Sequence, residues 1–238
     1  GVRVYVMDTG VLGTVAGFGG RVLTGFDALA GVRTPHQANR DCNGHGTAVA
    51  GVIASANYGV AKSATIVPVR VADCRGGVSP EALLRGLDWI AKNHPRNTAG
   101  VVNISVAVAK SKAVDDAITR LYRLGLVSVV SAGNQNMDAC RISPAGASLA
   151  LTVGSTNMND QRTNTSNFGE CLSMYAPGGL IITEGVNGLP TTRSGTSFSA
   201  PHVAGAIALY LSNNPRATAP ATIWEITRNG LSLSLIHI

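Results

Sequence analysis

Only 13 % of the 238 residues are charged and only 5 % are aromatic, and nowhere do lysines or arginines form a run. A nucleic-acid interface needs clustered cations interleaved with aromatics, so no nucleic-acid partner is expected. No apolar stretch approaches the roughly 18 residues of a membrane span, so no membrane partner is expected either. The four cysteines form no CxxC pair and no HExxH string occurs, which argues against a zinc site. No repeat or low-complexity linker divides the chain. What is there is 45 % hydrophobic, with 28 glycines and a net charge of +6. This composition suits one compact, turn-rich domain, and the basic balance favours acidic surfaces or substrates.

Continuous apolar runs alternate with helical patterns. The strings at 2–8, 64–73, 100–108, 125–133 and 150–156 read as strands. They are apolar throughout rather than alternating, as a parallel sheet buried on both faces requires. Helices are predicted over 46–55, 79–93, 113–125 and 197–211. In the second, Ser79 is the N-cap, Pro80 the first helical residue and Glu81 an acid in the first turn. In the last, Ser or Thr caps the start and Pro201 falls in the first turn. The fold class is therefore α/β: three layers, a mostly parallel central sheet with helices on both faces. Residues 1–238 read as a single domain, incomplete at both ends. Gly230 reads as the stop of a last helix, which leaves 231–238 as a tail of non-native character.

In an open α/β sheet, ligands bind beyond the carboxyl ends of the strands. Three motifs fall there. "MDTG" ends the first strand and places Asp8, "NGHGT" opens a helix and places His45, and "GTS" opens the last long helix and exposes Ser197. A serine needs a base to lose its proton, and neutral histidine is the usual one. The histidine needs an acceptor on its other nitrogen, and a buried aspartate serves. A lone "DTG" also marks aspartic proteases, but these need two carboxylates and no second DTG or DSG occurs. "AGFGG" at 16–20 lacks GxGxxG spacing, so no dinucleotide loop is read. His202 reads as a structural helix residue. Cys42, Cys74, Cys140 and Cys171 are even in number and fit an oxidising compartment. Four cysteines allow three connectivities; pairing sequence neighbours closes two loops of similar length, and four free thiols stay open as well.

The strings "VMDTG", "NGHGT", "SAGN" and "GTSFSAPHVAG", in this order, resemble the subtilisin-like serine proteases, in their proteinase K-like secreted branch. The resemblance runs over nearly the whole chain. It implies a secreted serine endopeptidase working through a Ser acyl-enzyme, with Asp8 orienting, His45 as general base and Ser197 as nucleophile. Asn134 supplies the side-chain donor of the oxyanion hole. Extended substrate is expected between two edge segments, Gly76–Gly77–Val78 and Ser105–Val106–Ala107. Ser131–Ala132–Gly133 are expected to wall the pocket for the residue before the scissile bond. The resemblance further implies disulfides Cys42–Cys74 and Cys140–Cys171, polypeptide substrates, a monomer, a pro-segment outside this chain, and no cofactor or metal in the chemistry.

The chain departs from the family pattern at several places. Ala48 stands where histidine is usual, Val106-Ala107-Val108 where Leu-Gly-Gly is usual, and Phe198 where methionine follows the nucleophile. Ser173 stands where an aspartate commonly binds structural calcium. Ala107 and Val108 are expected to narrow the specificity pocket. The alternative function is a catalytically weak protein of the same fold that binds peptides without cleaving them.

Overall fold

The computed structural model describes residues 1–29 and 38–234. Its centre is a seven-stranded sheet in the order β2-β3-β1-β4-β6-β8-β9. The strands are β1 (Arg3–Asp8), β2 (Phe26–Asp27), β3 (Thr65–Arg70), β4 (Gly100–Ile104), β6 (Val127–Ser131), β8 (Leu151–Thr156) and β9 (Met174–Pro177). Every pairing among them is parallel. Two short antiparallel pairs stand apart: β5 (Val108–Ala109) with β7 (Ile142–Ser143), and the hairpin β10 (Ile181–Glu184) with β11 (Pro190–Arg193).

Side chains alternate across each strand, and here they divide between two cores. Val4 and Val6 of β1 face α1 (His45–Ala54) and α4 (Thr196–Asn213), packing with Val49, Ile53, Ala204 and Ile207. Tyr5 and Met7 face α2 (Pro80–Asn93) and α3 (Lys112–Arg123), packing with Leu83, Leu87, Ile118 and Leu121. The three-layer arrangement follows from this division, and it sets the direction of Asp8: next in register after Val4 and Val6, it emerges beneath α1.

The helix α2 starts as the sequence predicts. The Ser79 side chain accepts from Ala82 N–H, and Pro80 opens the helix. The last helix, α5 (Ala219–Ser234), corrects an expectation. Gly230 does not stop it. The helix continues to Ser234, so 231–234 are helical, while 235–238 lie outside the described residues. A single glycine costs a helix only about 1 kcal/mol relative to alanine, too little to end it.

Both disulfides implied by the resemblance are present. Cys42 joins Cys74 and Cys140 joins Cys171, with sequence separations of 32 and 31. The chain-entropy model gives each closure about 3–4 kcal/mol of stabilisation through the unfolded state.

Candidate active site

Asp8 is fully buried at the end of β1. Its Oδ1 accepts the Thr9 N–H at 2.8 Å and lies 2.8 Å from His45 Nδ1. A carboxylate only accepts, so the proton sits on Nδ1 and Nε2 is left as a free acceptor. The close approach of α1 to β1 requires the second glycine of "GHGT". A Cβ on Gly46 would run into the Gly10 carbonyl and come within 3.0 Å of Asp8 Cβ.

A residue absent from the sequence reading holds the start of α1. The N-cap, Gly44, has no side chain to offer. Asp41, 8 % exposed, takes its place. Its Oδ1 accepts from Thr9 Oγ1, Asn43 N–H and Gly44 N–H at 2.8, 3.1 and 2.8 Å. Its Oδ2 accepts from Thr47 N–H and Thr47 Oγ1 at 2.8 and 2.7 Å. One carboxylate thus ties the loop after β1 to the helix that carries His45. It also places a negative charge at the positive end of that helix. The signal in the sequence was an acid four residues before the helix start, which the search for a serine or threonine cap passes over.

The start of α4 also differs from the sequence expectation. Its N-cap is Gly195, with no side-chain bond, and Ser197 is the second helical residue. Pro201 lies in the second turn rather than the first, and it has no N–H to give the carbonyl four residues back. That carbonyl belongs to Ser197, and Ser105 Oγ donates to it instead, at 2.9 Å. In return the Ser197 hydroxyl donates to the Ser105 carbonyl at 3.1 Å. Among the described residues no hydrogen bond joins Ser197 Oγ to His45. Catalytic bonds are often long or misaligned before substrate binds. Phe198 is buried, with its ring edge-to-face on His45 at 5.4 Å.

Asn134 stands exposed at the same end of the sheet. Its Oδ1 accepts from Thr196 N–H at 2.9 Å and from Thr196 Oγ1 at 3.1 Å. Because an N–H must meet an oxygen, the amide orientation is settled and Nδ2 is left as a donor. Gly133 N–H in turn donates to Thr196 Oγ1 at 3.1 Å. Gly133 has φ +99° and backs onto the Asn167 amide, so only glycine fits.

Beside His45 opens a hollow of about 350 Å³ lined by Thr9, Asn43, Arg75, Gly76, Val78, Ser105, Val106 and Ala107. Both predicted edge segments therefore meet at the imidazole. Gly77, between Gly76 and Val78, turns its N–H to Asp73 Oδ1 at 2.8 Å. Ser131, Ala132 and Gly133 are buried at the end of β6 and do not line this hollow. Val108 also leaves the cleft: it pairs with Ser143 in β5 and packs into the core. Any narrowing of the cleft rests on Ala107 alone. Ala48 is buried in the other core. Ser173 Oγ accepts the Thr152 N–H at 3.0 Å.

Burial lowers the affinity of His45 for a proton. The Asp8 charge and hydrogen bond, helped by Asp41, outweigh that effect, and Arg193 opposes them. The result is a pKa raised above the usual 6.5. His202 is lowered by burial and bonds the Phe198 carbonyl through Nδ1 at 2.7 Å, in keeping with the structural role read for it.

The Subtilase family model matches residues 1–230. The chain is 44 % identical over 235 residues to an extracellular serine proteinase of Thermus sp. (strain Rt41A), covering 96 % of this chain and 56 % of that one. It is 44 % identical over 214 residues to alkaline serine exoprotease A of Vibrio alginolyticus, covering 90 % and 39 %. It thus spans about half or less of the length of these relatives. The crystal structure of a cold adapted subtilisin-like serine proteinase superposes with a TM-score of 0.91 at 39 % identity, covering all of this chain and 86 % of the other.

Proposed function

This chain belongs to the subtilase family, and we propose that it is a secreted serine endopeptidase in which Ser197 attacks the peptide carbonyl. The observation that carries this reading is the 2.8 Å hydrogen bond that His45 Nδ1 gives Asp8, made beside the start of α4, where Phe198, next to Ser197, packs on the His45 ring and Thr196 binds Asn134. Asp8 holds the tautomer. His45 Nε2 takes the Ser197 proton as the hydroxyl leaves the Ser105 carbonyl, and later returns it to the leaving amine. The oxyanion is met by Asn134 Nδ2 and the Ser197 N–H, at the positive end of α4. No metal enters these steps, since serine, histidine and the two donors complete them.

The second reading is peptide binding without cleavage, and it rests on the Ser197 hydroxyl donating to Ser105 O and not to His45. A fluorophosphonate probe separates the two, because only an activated serine labels quickly. Rapid labelling of Ser197 is expected, and it should persist in a chelator. Absence of labelling in folded protein would rule out the hydrolase.

Asn134→Ala is expected to cost about 10²- to 10³-fold in kcat, the loss known for this donor in subtilisin, with KM little changed. A loss under threefold would remove Asn134 from the oxyanion hole. A pH–rate profile checks the histidine. The base must be neutral, so kcat/KM should rise with pH through an apparent pKa above the ordinary 6.5. A midpoint at or below that value would contradict the balance of charges around His45.

A further inference from the structure

We infer that the cleft selects acidic side chains on both sides of the scissile bond, through Arg75 before it and Arg193 after it. The inference rests on the endopeptidase reading and adds the substrate class. Arg75 is exposed and lines the hollow beside His45 together with Gly76, Val78 and Ser105. An extended substrate laid between the two edge segments alternates its side chains. With the residue at the scissile bond seated toward Ser131–Gly133, as the resemblance implies, the residue before it turns the other way, over His45 and into the hollow that holds Arg75.

Arg193, the last residue of β11, reaches His45 from elsewhere. Its guanidinium lies 3.9 Å from where a Cβ on Gly44 would stand, beside Val186 of the same hairpin, and it takes no part in the hollow. With the hollow assigned to the residues before the scissile bond, the leaving half falls on this other side of His45, against Gly44 and Arg193.

Neither cation is held in an ion pair. Among the described residues neither arginine has a carboxylate within 4.0 Å. The carboxylate nearest Arg75 in sequence, Asp73, feels the Arg75 charge, but its Oδ1 is bonded to the N–H groups of Arg75 and Gly77, both at 2.8 Å, and not to the guanidinium. Asp8 and Asp41 are buried and face His45 and its helix. A substrate carboxylate on either side of the scissile bond would therefore meet one guanidinium that holds no ion pair, in a chain of net charge +6. An arginine suits a carboxylate, since its fork can bind both oxygens.

The test compares kcat/KM on peptides that carry Glu or Gln at the second residue before the cleaved bond, and separately at the first residue after it. The pairs are matched in shape and differ only in charge. For exposed ion pairs, a Glu preference of about 1.5-fold to fivefold is expected at each position, shrinking as salt is added. Arg75→Gln should erase the first preference and spare the second. Arg193→Gln should do the reverse, and it should also raise the lower apparent pKa of kcat/KM, because a positive charge near His45 is gone. Equal rates on Glu and Gln peptides, or preferences that survive both substitutions, overturn the selection and leave the proposed chemistry standing. No cleavage of any peptide overturns both.

Discussion

Ser197→Ala is expected to lower kcat by about 10⁶-fold, the scale on which this constellation fails in subtilisin when its serine is removed. In the proposed mechanism every covalent step runs through Ser197 Oγ, and methyl cannot replace it. What survives is the stabilisation from Asn134 and the helix start, about 10³- to 10⁴-fold over water. Peptide affinity should hold, because the hydroxyl makes its decisive bond only in the transition state. The substitution also removes the bond to the Ser105 carbonyl, which is worth about 1 kcal/mol of stability. A melting curve near that of the parent therefore separates lost chemistry from lost fold. Turnover above one part in a hundred, in a preparation free of parent enzyme, would sink the acyl-enzyme.

Asp41→Ala is expected to be the most damaging single change outside the triad. It leaves Thr9 Oγ1, the Gly44 and Thr47 N–H groups and Thr47 Oγ1 without the acceptor they share. Each buried donor so abandoned costs about 1–3 kcal/mol, and partial relaxation brings the sum to about 3–5 kcal/mol. For a chain of this size that lowers Tm by roughly 6–20 °C. Asp41→Asn should rescue little. All five partners donate, so whichever way the amide is turned, its NH₂ faces a donor. Activity should fall further than stability predicts, because α1 sets the Nδ1–Oδ1 distance from His45 to Asp8. An Asp41→Asn protein with the parent's Tm and kcat/KM would show that the carboxylate is not holding the helix.

Asp41 also shows where reading residues in a row stops. Its five partners lie on two segments, Thr9 after β1 and residues 43–47 at the start of α1, and no local pattern joins them. The same holds for Ser105. In sequence it is an edge residue of the cleft. In the fold it exchanges hydrogen bonds with Ser197, 92 residues away, because Pro201 has freed the carbonyl that needs a donor.

The central strands were legible because short continuous apolar runs between helical patterns are what a parallel sheet buried on both faces requires. The helices α2 and α3 were legible because their cap residues and charged faces are local. The short elements were not. Strands β2, β5 and β7 have two residues each, and the β10–β11 hairpin carries exposed Ile182 and Leu189. Their pairing is decided by what lies alongside, not by their own pattern. The helix α5 runs past Gly230 because one glycine is a weak stop.

The residue types at the carboxyl ends of the strands already specify an aspartate, a histidine and a serine in an order that fits nucleophilic catalysis, since each motif ends a strand or opens a helix by local rules alone. The distances between them belong to the fold. Asp8 reaches His45 because alternation along β1 turns Val4, Val6 and Asp8 to one face and because Gly46 lets α1 come close. The Asn134 amide presents its nitrogen because Thr196, at the start of α4, occupies its oxygen. The hydroxyl of Ser197 lies on the Ser105 carbonyl, and two arginines flank His45, because loops and a hairpin far apart in the chain are packed against one end of the sheet. Contacts of this kind depend on long-range packing, which residue order does not display.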